Sequence, residues 1–532
     1  MKAIKQFLLR PWIYLVIVIT GASLKFYNID YHLFWYDEVA TIQHTSGNQI
    51  LDLPENQIKN ISYYTDQLHL KNNNFTIGSE LKGLYSSTNL NPLHYTFLMF
   101  WYRIAGDSEI SYRFFNVFIF LLSLPLLFLL ARRLFRSNLA GWIAISLFAV
   151  SPFFHYYVHE ARYNTFLIFI IIILHYIFLQ AIEHKKLRWW IGYSFVGILA
   201  LYASALSVLI LFGHFIYFII FEKEKRITFI VTLIVIFAAY LPWIISLLTN
   251  SEEITGAFVW QKSIAQNKNF LELLLYQSMG YSHIFLSLTD IGKIINSIML
   301  EDFKGNYVHL ISDIIILIFI LSSIIYTVKK APGKTSFFLL LIIIPLFLFF
   351  LISDLIRNAG GSLVWRYHAL AFIGVLLFVV YILDRKITLG KLFYSSIYVG
   401  LILAGIISSI IISKTQFYYG TGGASKLKEA QLFSDTRNPL LITDYTFPHP
   451  TRGVEEFAVI LNICESDSID ILRASDGIKD LDNMLSGTNY SDIYVTHASK
   501  KLLENLKIQF GEKMKKVEVG GIRNMWQIEL HP

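Results

Sequence analysis

The hydrophobic positions of this 532-residue chain are concentrated in long uninterrupted runs, nearly all of them before residue 414. A run of about 18 or more apolar residues predicts a membrane-spanning helix, because ~20 residues at a rise of 1.5 Å cross a hydrocarbon layer about 30 Å thick. We count eleven such runs, of which the pair over 189–221 is inferred because that stretch is too long for one crossing. The predicted spans lie near 11–29, 111–131, 139–157, 163–182, 189–203, 204–221, 227–248, 306–328, 336–355, 366–383 and 392–413.

After residue 414 the pattern changes to short apolar runs that alternate with helical stretches, which predicts a soluble α/β domain over 415–532. The short runs are near 440–444, 469–472, 492–496 and 525–529, and the helical stretches are near 455–463, 478–485 and 500–510. The fold class predicted from the pattern is therefore a polytopic α-helical membrane protein, with a membrane domain over 1–414 and a C-terminal extracytoplasmic α/β domain.

Lysine and arginine residues in the short loops predict the orientation of the spans, because such loops stay in the cytoplasm. With eleven spans all six basic clusters fall on one side, so we expect a cytoplasmic N-terminus and an extracytoplasmic tail. The clusters are Lys2, Lys5 and Arg10; Arg132, Arg133 and Arg136; Lys185, Lys186 and Arg188; Lys223, Lys225 and Arg226; Lys329, Lys330 and Lys334; and Arg385, Lys386 and Lys391.

The same orientation leaves two large extracytoplasmic loops, at about 30–110 and 249–305. Within them, 92–105 is too short to span and is predicted to be an amphipathic helix lying in the interface. The stretch 268–288 would break the parity of the spans and carries polar residues, so we expect it not to cross. The first helix lacks a small-residue cleavage site and predicts an uncleaved anchor in a plasma (inner) membrane.

Composition and charge exclude several classes of function. The chain is 55% hydrophobic and 16% charged, whereas a soluble domain is roughly 45–50% apolar and about 25% charged. Its net charge of +7 divides into +10 before residue 415 and −3 after it, so the basic excess belongs to membrane loops and not to a nucleic-acid surface. The single cysteine, Cys464, excludes an internal disulfide and a paired-cysteine zinc site.

Charged residues of both signs are predicted at one extracytoplasmic level. Asp37 and Glu38 follow the first helix, Glu160 and Arg162 lie between the third and fourth helices, and Arg366 opens the tenth. Arg113 opens the second helix at the same level. Arginine binds phosphate oxygens bidentately and a carboxylate can take a proton, which together suit transfer from a lipid phosphate.

Simpler interpretations exist for each of these groups. Asp37 and Glu38 can be solvated acids in an aromatic interfacial belt, and Glu160 and Arg162 can form a local ion pair worth at most ~1 kcal/mol. Arginines at helix ends can also anchor phospholipid headgroups. The convergence of both signs from four separate parts of the chain favours a functional site.

His155 and His159, four residues apart, would share one helix face and suggest a metal site. A histidine pair near an interface is more often hydrogen-bonded structure, and a third ligand is not evident. We therefore expect no cofactor, although a divalent metal is left open.

An ordered set of motifs resembles the polytopic GT-C glycosyltransferases, above all the branch with protein O-mannosyltransferases and lipid A aminoarabinose transferases. The resemblance covers about residues 1–385. The motifs are Phe34-Trp-Tyr-Asp-Glu-Val-Ala, Asn91-Pro-Leu-His-Tyr, Gly106-Asp-Ser-Glu-Ile-Ser-Tyr-Arg113, Ser151-Pro-Phe-Phe-His-Tyr-Tyr-Val-His-Glu-Ala-Arg162-Tyr, Leu241-Pro-Trp243 and Trp365-Arg-Tyr367.

The resemblance implies an inverting transfer of a sugar from a polyprenyl-phosphate donor to a lipid, glycan or protein acceptor on the outer face. It implies that Asp37 is the catalytic base, that Glu38 positions the acceptor or Asp37, and that Glu160 occupies the acidic position after the third helix. Arg162 and Arg366 would neutralise the departing lipid phosphate.

The resemblance adds Arg113 to the donor-phosphate residues, and Tyr36, Tyr163 and Tyr367 as substrate-positioning residues. This chain departs from many relatives at Leu201-Tyr-Ala-Ser-Ala205, where they carry histidine or lysine, so no contact from that segment is expected.

Two other functions fit a chain of this kind. A polysaccharide polymerase or ligase that acts on lipid-linked oligosaccharide usually carries its key arginines in large middle or late loops, whereas here an acid pair follows the first helix. A transporter or flippase of lipid-linked sugars would place its charges near mid-bilayer and often shows repeat symmetry, and no repeat is visible in this sequence.

Overall fold

The computed structural model divides the chain into two compact units. The helical unit comprises Met1–Tyr31 and Leu81–Thr415, and the sheet unit comprises His32–Glu80 and Gln416–Pro532. The structure describes residues 10–32, 34–45, 54–68, 78, 92–249, 261–262, 268–287, 307–415, 432–433, 436, 438–443, 469–474, 481–485, 490–496, 498–517 and 525–529. Cys464 and the predicted helix over 455–463 lie outside these ranges.

Each predicted apolar run before residue 414 is helical, although the run 139–157, predicted as one span, forms two helices that meet at Pro152. The helices are α1 (Pro11–Leu24), α4 (Pro92–Ala105), α5 (Glu109–Phe135), α6 (Asn138–Val150), α7 (Pro152–Val158), α8 (Asn164–His184), α9 (Leu187–Ala203), α10 (Ser207–Phe221), α11 (Arg226–Thr249), α12 (Phe270–Met279), α13 (Tyr307–Lys330), α14 (Gly333–Arg357), α15 (Ala369–Thr388) and α16 (Leu392–Ser413). The sheet unit contributes α2 (Tyr36–Thr45) and α3 (Ile61–Thr65) from the first loop.

In the described part of the chain, seven helices are long and apolar enough to cross a membrane, or eight if the bent pair α6–α7 forms one span. Three further apolar helices, α1, α9 and α10, have 14, 17 and 15 residues. The polytopic helical fold is confirmed, and the count of eleven spans stays a prediction.

Local sequence explains where the key helices begin and break. Ser108 and Ser137 cap α5 and α6, since each side chain accepts a hydrogen bond from a first-turn amide. Pro152 follows Ser151 and removes a backbone donor, and α6 and α7 meet there at an angle of 57°. The bend carries the chain out of α6 into the short α7 and the turn that precedes α8.

The stretch 268–288 does not form one long helix. A capping box of Asn269 and Glu272 begins α12, and a 3-10 helix over Gly280–Ile284 follows its end. Ten residues of α-helix are too few to cross a bilayer. The predicted helix over 92–105 is confirmed as α4, which buries Tyr95 and Met99 on one face and exposes Phe97 and Phe100 on the other.

The sheet unit contains a six-stranded sheet in the order β1-β3-β2-β4-β6-β5. The strands are β1 (Ile58–Asn60), β2 (Leu440–Thr443), β3 (Asp470–Arg473), β4 (Ile493–Thr496), β5 (Met514–Lys516) and β6 (Met525–Ile528), and the helices after β3 and β4 are α17 (Leu481–Leu485) and α18 (Lys500–Phe510). The three adjacent strands β3, β2 and β4 run parallel, and every residue of β2 and β4 is buried. Continuous apolar strands are typical of parallel sheets covered on both faces.

The edge strand β1 comes from the first loop, which the sequence assigned to the membrane domain. It pairs antiparallel with β3, so that Lys59 lies opposite Ile471. Beyond the strand, the Ile61 amide donates to the Ile469 carbonyl at 2.9 Å. Ile58 packs on the apolar core under the sheet. The first loop and the C-terminal tail therefore build one domain together.

Asp470 connects the two halves of this domain through its side chain. One carboxylate oxygen accepts a hydrogen bond from Asn60 Nδ2 at 3.1 Å, and the other accepts one from the Tyr490 hydroxyl at 2.8 Å. A partly buried acceptor that serves two donors is costly to lose, because each donor is then left without its partner.

We expect Asp470→Ala to loosen β1 from β3 at a cost of about 1–3 kcal/mol. Hydrogen–deuterium exchange of the peptide that contains Ile58–Asn60 would accelerate in the intact protein. Asp492→Ala is the matched control, since Asp492 accepts a hydrogen bond from Gln527 between β4 and β6. Equal exchange of β1 in wild type and Asp470→Ala would show that the carboxylate does not hold the strand.

Candidate active site in the helical unit

The turn between α7 and α8 carries three of the predicted site residues, Glu160, Arg162 and Tyr163. The Arg162 amide donates to the Glu160 carbonyl at 2.7 Å, which closes a tight bend directly after α7. Asn116 Nδ2 on α5 donates to the carbonyl oxygens of both Glu160 and Arg162, the latter at 3.0 Å. Thr165 Oγ1 on α8 also donates, to a carbonyl at the end of α7. The turn is thus fixed from two neighbouring helices.

Arg366 lies in a 3-10 helix, Trp365–His368, that leads directly into α15. The Trp365 indole stacks on His283 with ring centroids 4.2 Å apart. Burial lowers the pKa of His283 to about 3, so the ring is neutral where it meets the indole. The preceding loop is held by Asp354, whose carboxylate accepts hydrogen bonds from the amides of residues 361 and 362 at 2.8 and 2.6 Å. A rigid frame therefore positions the guanidinium of Arg366.

The two predicted phosphate-binding arginines, Arg162 and Arg366, both lie within electrostatic range of Tyr163, and so does Tyr367. Each arginine also lies over the ring of the tyrosine that follows it, at 5.7 and 5.6 Å. Arg162 Nη1 donates to the Tyr95 hydroxyl at 3.3 Å. Two guanidinium groups from distant parts of the sequence thus lie near the same two tyrosines, Tyr163 and Tyr367.

The carboxylate of Glu160 lies near the same group of arginines and tyrosines. The hydroxyl of Tyr157, on α7, is within electrostatic range of Glu160, Arg366 and Tyr367. Glu160 is almost completely buried, and so is Tyr157. Predicted residues from the α7–α8 turn and from the Trp365–His368 helix therefore lie within electrostatic range of the same two tyrosines, Tyr157 and Tyr163. Such a set can neutralise an anionic oxygen and orient it.

Arg113 and the histidine pair take part in hydrogen bonds that join helix ends. Arg113 Nη1 donates to the Ile29 carbonyl at 2.9 Å, and its side chain is fully buried. His155 Nε2 is 2.8 Å from Ser413 Oγ, and His159 Nε2 is 3.0 Å from the Lys25 carbonyl. In the described ranges no three His, Cys, Asp or Glu side chains are grouped as metal ligands.

Asp37 and Glu38 lie in the sheet unit, in the first turn of α2. Asp37 is 8% exposed and Glu38 is fully buried. The Glu38 amide donates to the Trp35 carbonyl at 2.9 Å, and Thr41 Oγ1 donates to the Asp37 carbonyl at 2.9 Å. The free amides of a helix N-terminus favour negative charge, which suits a pair of acids. Tyr36 begins α2, and its side chain lies outside the described part of the chain.

Sequence reasoning did not single out Asn116 or His94. Asn116 is a polar residue within the apolar run 111–131, and this position could have indicated a buried hydrogen-bonding role. His94 occurs in the Asn91-Pro-Leu-His-Tyr motif and is fully buried between the rings of Phe115 and Phe166. Burial, together with the nearby charge of Arg162, lowers the pKa of His94 to about 3. His94 is therefore a neutral ring next to the α7–α8 turn.

Comparisons with known proteins agree on the fold. The family model described as dolichyl-phosphate-mannose-protein mannosyltransferase matches residues 90–245. A search of curated proteins found no match. The crystal structure of ArnT from Cupriavidus metallidurans bound to undecaprenyl phosphate is 12% identical, with a TM-score of 0.52, and 97% of this chain and 98% of that chain are covered. The apo state of that ArnT gives 11% identity and a TM-score of 0.51, with 97% of each chain covered. The predicted GT-C type fold is confirmed.

Gly280 is required for the frame around Arg366, because a Cβ there would lie 2.6 Å from Trp365 Cδ1. We expect Gly280→Ala to displace the indole and to lower the unfolding temperature of the purified protein, at a cost of about 1–3 kcal/mol for overpacking. In Gly192→Ala, the control, the nearest atom is Ile177 Cγ2 at 3.7 Å, and an alanine in a helix interior is favourable. Identical unfolding temperatures of the two variants would contradict the packing argument.

Proposed function

We propose that this chain, a member of the GT-C superfamily, is a membrane glycosyltransferase that moves a sugar from a polyprenyl-phosphate donor to an extracytoplasmic acceptor by an inverting single displacement. The observation that carries the proposal is that Arg162 lies over Tyr163 at 5.7 Å and Arg366 over Tyr367 at 5.6 Å, with both guanidinium groups within electrostatic range of Tyr163. A pair of guanidinium groups at one position is suited to a phosphate, which each can bind bidentately. The similar ArnT structure is described as bound to undecaprenyl phosphate, which supports a lipid phosphate as the ligand.

In the proposed reaction, an acceptor hydroxyl attacks the anomeric carbon and Asp37 takes its proton. The bond between the anomeric carbon and the phosphate oxygen breaks, and its electron pair leaves with the polyprenyl phosphate. Arg162 and Arg366 stabilise the charge that develops on this phosphate, and preorganised donors of this kind are among the largest contributions to catalysis. Glu38 positions the acceptor or Asp37.

The remaining predicted residues take supporting roles in the proposal. Tyr163 and Tyr367 line the position of the two arginines and orient the phosphate, while Tyr36 contacts substrate from the first loop. Glu160 sets the orientation of the guanidinium groups, and Arg113, whose Nη1 already donates to the Ile29 carbonyl, adds positive potential.

An enzyme fits the placement of these charges better than a transporter. Arg162 comes two residues before α8, and Arg366 comes three residues before α15, so both lie at helix ends. Transporters of lipid-linked substrates place their binding sites near the bilayer midplane, in interrupted helices. A polymerase or ligase would use a lipid-linked oligosaccharide donor, and the donor panel below separates it from a transferase of single sugars.

We expect Asp37→Asn to lower kcat by about 10²–10⁴-fold, since a general base contributes that much, while the donor KM changes little. The measurement is release of free polyprenyl phosphate from a panel of polyprenyl-phosphate sugars in the presence of extracted cell-envelope acceptors. Asp66→Asn is the control, because Asp66 is an exposed acid of the same unit. A fully active Asp37→Asn would remove Asp37 as the base, and a wild type that releases no lipid phosphate from any donor would overturn the reaction class.

Arg366→Gln tests the phosphate site independently. Loss of one preorganised donor costs about 10²–10³-fold in kcat, and Arg366→Lys should recover part of it because the charge remains. The same release assay measures both variants, with the donor concentration varied. If Arg366→Gln and Arg366→Lys both keep the wild-type kcat and donor KM, the guanidinium does not contact the donor.

A further inference from the structure

Lys25 is a buried cation for which the proposed mechanism has no role so far. It directly follows α1, and its side chain is 0% exposed. Among the described residues, no hydrogen-bond or ion-pair partner reaches its Nζ. The contact that the amine makes is with the ring of Phe120 on α5, whose centroid lies 5.0 Å away.

The surroundings of the amine are aromatic. The Phe120 ring stacks on Phe148, with centroids 4.8 Å apart, and Phe148 contacts Phe154 at 4.3 Å. Transfer of an ammonium group into such surroundings without a partner is costly.

Lys25 is also attached to the turn that carries Glu160 and Arg162. The carbonyl oxygen of Lys25 is hydrogen-bonded to His159 Nε2 at 3.0 Å, and His159 immediately precedes Glu160. Phe120 is one helical turn after Asn116, whose side chain donates to the carbonyls of Glu160 and Arg162. Both the backbone and the side chain of Lys25 therefore lie against the elements that build the turn.

A methionine or leucine would fill this aromatic environment at lower cost in stability. A lysine at this position is explained if a bound anion supplies the negative charge that pairs with the amine during the reaction. We propose that Lys25 is a third phosphate-binding residue of the donor site, and that its amine pairs with the lipid phosphate once the donor is bound. This inference rests on the proposed function, and it adds a residue that the motifs did not indicate.

The charge balance fits the direction of the reaction. The donor is a phosphodiester with one negative charge, and the product is a phosphomonoester that carries up to two. An ammonium group that pairs with the phosphate therefore binds the product more strongly than the donor, which stabilises the leaving group as the bond breaks. The side chain of lysine is a flexible four-carbon chain, so Nζ can change its position when an anion binds at the turn.

The experiment compares Lys25→Met with wild type in the purified full-length protein. Binding of undecaprenyl phosphate is titrated, phosphatidylglycerol is titrated separately, and the unfolding temperature is recorded without lipid. Lys414→Met is the matched control. Lys414 directly follows α16, as Lys25 directly follows α1, but its side chain is exposed. The residue before it, Ser413, accepts a hydrogen bond from Asn28 through its carbonyl oxygen.

We expect Lys25→Met to bind undecaprenyl phosphate at least tenfold more weakly, with unchanged binding of phosphatidylglycerol and an unfolding temperature equal to or above that of wild type. Lys414→Met should match wild type in all three. Lys25→Arg, which keeps the charge, should restore most of the affinity for undecaprenyl phosphate.

Three results would overturn the inference. Equal affinity of Lys25→Met and wild type for undecaprenyl phosphate would exclude the contact and leave the proposed function intact. A parallel loss for phosphatidylglycerol would show a general lipid-headgroup contact. A lower unfolding temperature with unchanged affinity would show a purely structural lysine. If wild type itself binds no undecaprenyl phosphate, the donor assignment of the proposed function fails together with this inference.

Discussion

The hydrogen bonds from Asn116 to the α7–α8 turn are the interaction on which the rest of the site depends. A backbone that leaves the helical conformation beside a bilayer has carbonyl groups with no helical partner, and protein donors must satisfy them. Asn116 provides two such bonds, to the carbonyls of Glu160 and Arg162. Without them these two carbonyls would lose their donor from α5, and the turn that carries the guanidinium of Arg162 would be left with the bond from Thr165 and the backbone bond between residues 160 and 162.

The sequence predicted most of the helical unit because a membrane imposes a simple length rule on apolar runs. The three runs that form α1, α9 and α10 are shorter as helices than 18 residues, so length alone does not establish the number of spans. The bend between α6 and α7 was also not foreseen, although Pro152 was visible. Periodicity and composition indicate that a run is helical, but the angle at a break depends on the packing of neighbouring helices.

The candidate site was predictable in its residue types and only partly in its arrangement. Charged residues at helix ends, such as Glu160 and Arg366, stand out in an apolar sequence. Their approach to Tyr157 depends on how α8 and α15 pack, which no local pattern encodes. Lys25 was not singled out from the sequence, because burial of its amine results from tertiary contacts with Phe120 and cannot be inferred from its neighbours in sequence.

The strand β1 has a consequence for how the protein is made. Its contact with β3 joins residues that are 410 positions apart, as Asn60 and Asp470 are. At a synthesis rate of about 5–20 residues per second, the first loop waits roughly 20–80 s for its partner to leave the ribosome. During that interval the second segment of the helical unit, Leu81–Thr415, is synthesised and the β1 edge is unpaired. Chains that end before β3 therefore cannot complete the sheet, and β1 stays an unpaired edge in them.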